Sequence, residues 1–263
     1  MSSSSRRIFA VTIPLFVIFF ISLAVFKLMQ APSCHDAPPE QINIVFDKTK
    51  GYSPTQAHSV DRTLVDLLQR AADNAEINLF YITSNGDRPH LVFNECKPTT
   101  RTNPFLGDPQ QQQRNFRRLV IKRVKEVIDL HYEPLAPAPL IESLATISRE
   151  NILTSKLEQH VRVEFDIYSD MVQDSKNASL ARPPPGNGSP RAATDPTHCT
   201  SSFAARSVGF NDLYIDMKQV FRDVPVNVYG IYRDPTVWPR YPGERCVRTF
   251  WEGTFPHMTW ITL

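Results

Sequence analysis

Residues 42–53 read INIVFDKTKGYS, and the fold follows from this stretch. Ile42 to Phe46 are mostly apolar and β-prone, and the run stops at Asp47. Thr49, Gly51 and Ser53 then turn the chain into a helix that opens at Pro54. A strand that ends in a carboxylate and hydroxyls makes a small oxygen-rich cup. In an open α/β sheet the carboxyl ends of the strands are where ligands bind, so the stretch predicts both a sheet and a candidate site.

Working outward, Ser53 is placed as an N-cap and Pro54 as the first helical residue, with Val60, Leu64, Leu67, Leu68 and Ala71 along one face of a helix running to about Asn74. Ile77 to Thr83 is a second strand and His90 to Phe93 a short third, separated only by SNGDRP at residues 84–89. A parallel crossover needs about a dozen residues or more, so these two strands are expected to form an antiparallel hairpin turning at Asn85 and Gly86. A long helix from Gln110 to about Leu130 carries Phe116, Leu119, Val120, Val124, Val127 and Ile128 on one side. The same helix carries Arg114, Arg117, Arg118, Lys122, Arg123 and Lys125. That charge is either a solvated face or a docking patch for acidic lipid or protein.

Three prolines in HYEPLAPAP, residues 131–139, break that helix; a second follows from about Leu140 to Ser148, and Val161 to Ile167 is the fourth strand, leading into Tyr168, Ser169 and Asp170. Residues 173–207, with PPPGNGSP, read as a mobile surface loop that contains two glycosylation acceptor patterns, at Asn177 and Asn187. Helices at 210–222 and 243–253 and strands at 224–232 and 258–262 complete the chain. Direction counting makes strands 1 and 2 point up, strand 3 down and strand 4 up again. Two successive helices after the reversed strand restore the parallel sheet. Asp47, the 134–139 loop and Asp170 then share one upper edge.

The chain has 263 residues, is 41% hydrophobic and carries a formal net charge of +2. It is large enough for one sizeable core, and its near neutrality gives no reason to expect a nucleic-acid partner. Ile8 to Phe26 contains no charge and suffices, at about 1.5 Å per residue, to cross a hydrocarbon core of about 30 Å. We read residues 8–28 as a transmembrane helix, a signal anchor, with a cleaved signal peptide as the alternative. Arg6 and Arg7 precede the span, so residues 1–7 are expected in the cytoplasm. Residues 29–41 would be a stiff tether, and 42–263 a domain on the periplasmic or extracellular side of the inner (plasma) membrane. Cys34, Cys96, Cys199 and Cys246 all fall in the exported part and are either two disulfides or free buried thiols. The direction count puts Cys34 and Cys96 near the membrane-side edge and Cys199 and Cys246 near the upper one, which sets those two pairings as the expectation.

A parallel sheet with one short reversed strand, a D-x-T loop after strand 1, a loop between two helices and an aspartate after strand 4 resembles the von Willebrand factor A (VWA) domain. The resemblance covers residues 41–263 and is similar in layout to exported bacterial proteins of undetermined role. It implies a Rossmann-like three-layer α/β sandwich with a mostly parallel sheet. It also implies a metal-ion-dependent adhesion site, where Mg2+ completes its shell with a carboxylate from a protein partner. Carried over, Asp47 and Thr49 match two ligand positions, Gly51 stands where a serine is expected with Ser53 two residues late, Pro139 falls at the threonine position, and Asp170 matches the outer acid. The implied metal set is therefore Asp47, Thr49 and Asp170 with water. The bland alternative is that Asp47 and Thr49 satisfy backbone donors in a tight turn. The expected role is a non-enzymatic, membrane-anchored binding or scaffolding module.

A second resemblance points to haloacid-dehalogenase-like phosphatases. Phe46 to Thr49, FDKT, would supply Asp47 as the nucleophile, and Thr83 or Ser84 would bind phosphate. Lys156 would neutralise charge, and Ser169, Asp170 and Asp174 would hold magnesium. Against it, Thr49 cannot act as the general acid found two residues after the nucleophile. No His pair or G-x-S-x-G pattern marks a zinc hydrolase or a serine esterase.

Overall fold

The computed structural model describes residues 38–49, 51–84, 88–100, 108–131, 138–152, 160–173, 175, 180, 208–230 and 244–262. β1 (Glu40–Asp47) is buried along its whole length. It is flanked on both sides, by β2 (Glu76–Ile82) and β4 (Arg162–Ser169). A strand covered on both faces is a continuous apolar run, which is why INIVF was legible. β3 (His90–Cys96), β5 (Val226–Gly230) and β6 (Met258–Thr262) complete one six-stranded sheet in the order β3-β2-β1-β4-β5-β6. Every neighbouring pair is parallel except β2 and β3, which run antiparallel as the short connection requires. β3 extends three residues past the expected Phe93, because an exposed edge strand with Asn94 and Glu95 carries little apolar signal. The expected tether loses Glu40 and Gln41 to β1.

Alternation along the strands sorts two helical layers. Ile42, Ile44, Phe46, Ile77 and Leu79 face α1 (Pro54–Arg70) and α2 (Pro109–Ile128), packing on Val60, Leu64, Phe116, Val120 and Val124. Val45, Phe80, Val163, Phe165 and Ile167 face α3 (Leu140–Ile147), α4 (Val208–Val220) and α5 (Glu244–Glu252). The result is a three-layer α/β sandwich of the kind the VWA resemblance implies. α1 stops at Arg70 rather than near Asn74. Ala71 leaves the helical region at ψ 138°, and the Lys97 ammonium donates to its carbonyl at 2.5 Å, satisfying a helix-end acceptor.

On the α1 side of β4 lie two buried carboxylates, Glu164 and Asp166. One guanidinium serves both, unequally. Arg70 donates to Glu164 at 2.5 and 3.0 Å and reaches Asp166 only at 3.4 Å. Burial, reinforced by the neighbouring Glu164 charge, pushes the Asp166 carboxyl up to about 7. Tyr229 donates its hydroxyl to Asp166 at 3.0 Å. Above this cluster, Phe46, Tyr168 and Tyr229 stack across β1, β4 and β5, with ring centroids 4.6 and 4.4 Å apart.

Cys96 and Cys246 are each disulfide-bonded. They stand at opposite sides of the sheet, Cys96 on edge strand β3 and Cys246 on α5, between β5 and β6 in the chain. Strands spaced about 4.8 Å apart put them too far from one another to bond. Cys34 and Cys199 lie outside the described residues, as do Asn85, Gly86, Lys156, Asp174, both glycosylation acceptors and the expected span at 8–28. Among the described residues no helix is long and apolar enough to cross a membrane.

The raised Asp166 carboxyl gives a signed pH dependence. Between the ordinary carboxyl range near 3.8 and about 7 the folded chain holds a proton that the unfolded chain has released. Its stabilising contribution is therefore full below pH 4 and is lost as pH rises through 7, at up to about 1.4 kcal/mol per pH unit. Chemical denaturation of Asp166→Asn between pH 4 and 8 should lack this decline, and the variant should be less sensitive to pH than the parent.

Candidate functional site

The upper edge is built where β1 and β4 end side by side, with Phe46 paired to Tyr168. Asp47 and Ser169 follow on the α3 side of the sheet, and the Ser169 hydroxyl donates to Asp47 Oδ2 at 2.8 Å. The other oxygen, Oδ1, accepts the Thr49 amide at 3.0 Å and the Thr49 hydroxyl at 2.6 Å. Such a turn is what an aspartate does two residues before a free amide. Ser169 Oγ in turn accepts the Met171 amide at 2.8 Å, and Asp170 Oδ1 accepts the Val172 amide at 3.0 Å. Met171 takes a left-handed φ of 55°, which turns the chain back under the edge, and its carbonyl accepts the indole of the fully buried Trp251 at 2.7 Å.

Lys48 points the opposite way from Asp47, as alternation demands. Its ammonium donates to the carbonyl of Ile128 at 2.7 Å, at the end of α2, where helix carbonyls lack partners and a cation is favoured. It lies 5.3 Å from the centre of the Tyr52 ring, and Tyr52 donates its hydroxyl to the Tyr168 carbonyl at 2.9 Å. The loop after β1 is thereby fixed to α2 on one side and to β4 on both.

Pro139 is the N-cap of α3 and offers no side-chain hydrogen bond. Gln173, from the loop after β4, takes over. Its carbonyl oxygen accepts the Ile141 amide at 2.8 Å, and its amide nitrogen donates to Glu142 at 3.0 Å. Ser175 donates to the same Glu142 carboxylate at 2.6 Å.

The structure thus brings together Asp47, Thr49 and Ser169, and places Asp170 on the adjoining turn. Of the other expected residues, Gly51 is half-exposed, Pro139 contributes only backbone, and Ser53 is exposed, where it caps α1 by accepting the Gln56 amide. Sequence reasoning missed the roles of Lys48, Glu142 and Gln173. It weighed Ser169 only for phosphate chemistry.

Whether these residues suit a divalent cation can be tested on the donor set. Asp47, Thr49, Ser169 and Asp170 are at most 3% exposed, and three donors already occupy the Asp47 carboxylate. No group of three His, Cys, Asp or Glu side chains suited to a metal gathers among the described residues. A site completed by a partner's carboxylate needs an oxygen set open to solvent with a vacant position. As it stands the arrangement is an internal hydrogen-bonded clamp, which does not fit a solvent-open Mg2+ set of Asp47, Thr49 and Asp170. The same burial denies Asp47 the access a phosphoryl-accepting nucleophile requires, so nothing here supports the phosphatase alternative.

No family model matches the sequence, and neither does any curated protein. Among solved structures the chain is similar to a von Willebrand factor type A protein from Catenulispora acidiphila, at 12% identity over 86% of this chain and 39% of that one, TM-score 0.45. It is similar also to the open conformation of the pilus adhesin SpaC from Lactobacillus rhamnosus GG, at 13% identity over 86% of this chain and 28% of that one, TM-score 0.48. A third likeness is to the manganese-loaded Plasmodium vivax TRAP protein, at 11% identity over 86% of this chain and 69% of that one, TM-score 0.40. The chain spans well under half the length of the first two. At such identities these are likenesses of fold.

Asp47→Ala would strand the Thr49 amide and hydroxyl and the Ser169 hydroxyl in a buried setting. Buried donors left without acceptors cost about 1–3 kcal/mol each, part of which relaxation recovers. We expect a loss of about 2–4 kcal/mol, a fall in Tm of about 5–12 °C for a domain of this size. Thermal unfolding followed by circular dichroism should show Ser169→Ala losing less than half as much.

Proposed function

We propose that this chain is a non-enzymatic binding module whose VWA-like domain presents the surface above the Asp47 clamp to a protein partner. It is held at the membrane by residues 8–28, with the domain on the periplasmic or extracellular side. The observation that carries the reading is the stitching of three loops at the carboxyl ends of the strands. Asp47 to Ser169 and Gln173 to α3 join them. A rigid edge of this kind is where open α/β sheets take their ligands, and preorganisation lowers the ordering cost of binding. The disulfide-bonded Cys96 and Cys246 support an oxidising compartment. In this reading the clamp does the work of a metal and no cation completes the interface.

Photo-crosslinkers placed at Gly51 and Tyr52 in living cells should capture the same protein, while one at His160, at the opposite edge, should not; capture from His160 alone would overturn the assignment of the upper edge. Because the clamp is closed, Mg2+, Mn2+ or EDTA should each leave the Tm of the purified chain within about 1 °C, since a ligand that binds only the folded state would raise it. A Mn2+-dependent rise that Asp47→Asn abolishes would restore the metal reading. Hydrolysis of an aryl phosphate lost in the same variant would favour the phosphatase. Peptide mapping without reduction should join Cys34 to Cys96 and Cys199 to Cys246.

A further inference from the structure

α2 carries six cations and a single carboxylate, Glu126. Four of the six, Arg114, Arg118, Lys122 and Lys125, follow one another at intervals of four, four and three residues. At about 100° per residue they fall within an arc of about 80°, directly opposite the buried Phe116, Val120, Val124 and Val127. All four are exposed. The stripe from Arg114 to Lys125 is about 16 Å long at 1.5 Å per residue.

Its own compensation is slight. Arg114 meets Asp108 at 3.4 Å, Lys122 meets Glu126 at 3.8 Å and Lys125 meets Asp61 at 3.5 Å. Exposed pairs at such separations are worth little. No carboxylate pairs with Arg118 among the described residues. No residue between Arg114 and Lys125 is acidic, so the stripe lacks the alternation of signs that marks a salt-bridge-laced helix face.

We infer that the outer face of α2 is a docking surface for an acidic polypeptide segment, one that lays Asp or Glu side chains along the four-cation stripe. Two observations favour polypeptide over a lipid surface. The apolar face of α2 is committed to the core, so the helix cannot lower an apolar side into a bilayer as interfacial helices do. It also runs from the lower edge, where Gln113 donates to the Pro98 carbonyl, to the upper edge, where Lys48 holds the Ile128 carbonyl. A bilayer at either edge would meet one end of the stripe; a segment lying along the helix meets all of it. This surface is separate from the upper edge and does not depend on the role proposed there.

The test uses the full purified chain and a labelled helical peptide of about 15 residues, long enough to span the stripe at 1.5 Å per residue. The peptide carries glutamate at every fourth position, with a glutamine counterpart as control. Fluorescence anisotropy should show the glutamate peptide binding and the glutamine peptide not, with affinity falling as salt rises. Arg118→Glu with Lys122→Glu should weaken binding at least about tenfold, because reversal replaces two attractions by repulsions, and should lower Tm by no more than about 3 °C through the new i,i+4 repulsions. Equal binding of the two peptides, or unchanged affinity in the double variant, would overturn the proposal. So would a chain indifferent to the peptide whose double variant loses association with phosphatidylglycerol vesicles, since both proteins share residues 1–37 and the difference would then report a lipid surface.

Discussion

Asp47 stands where the central strand ends, and its two oxygens are divided between its own turn and the neighbouring strand. Thr49 holds one and Ser169 the other. The division fixes the height at which β1 and β4 finish, and through Ser169 and Met171 it fixes the turn that ties Trp251 of α5 to the sheet edge. A buried carboxylate with its acceptors filled is stable. The same group with one partner missing is a liability, because the low-dielectric surroundings that strengthen each bond also penalise each vacancy.

Below the clamp one face of the sheet is held by two different means. At the level of Phe46, three aromatic rings stack across β1, β4 and β5. One step lower, on the same face, Arg70 from α1 reaches between Glu164 and Asp166. The stack is held by ring contact and is tied to the ionic cluster through the Tyr229 hydroxyl on Asp166; the cluster itself responds to pH, since one guanidinium cannot compensate two carboxylates equally. The α1 side of the sheet therefore passes from stacked rings above to a titratable cluster below, with Tyr229 in both.

The parts of this arrangement visible in the sequence were those governed by short-range rules. The length of SNGDRP forces β2 and β3 antiparallel, and the prolines before Leu140 separate two helices. From these the common edge of Asp47 and Asp170 followed. The extent of β3 was hidden because Asn94 and Glu95 face solvent on an edge strand, and the end of β4 because Tyr168 and Ser169 are not apolar. The sequence placed Asp47 and Asp170 at one edge, but it carried no sign of the hydrogen bonds that occupy Asp47. Motif spacing aligned Asp47, Thr49 and Asp170 as cation ligands, whereas Ser169, 122 residues away in the chain, takes the place such a ligand would need. Gln173 capping α3 in place of Pro139 is likewise a long-range contact with no local signature.

Adjacent residues of one strand end address opposite layers. Asp47 turns toward the α3 side to meet Ser169, and Lys48 toward the α2 side to meet Ile128. Deleting or inserting a single residue before them would exchange the two, setting an ammonium among hydroxyl donors and a carboxylate against a helix carbonyl. Substitution at this corner disturbs one layer at a time, but a change of length would miswire both layers together. Homologous chains that vary freely in their other loops should therefore keep the count from Ile42 to Lys48 constant.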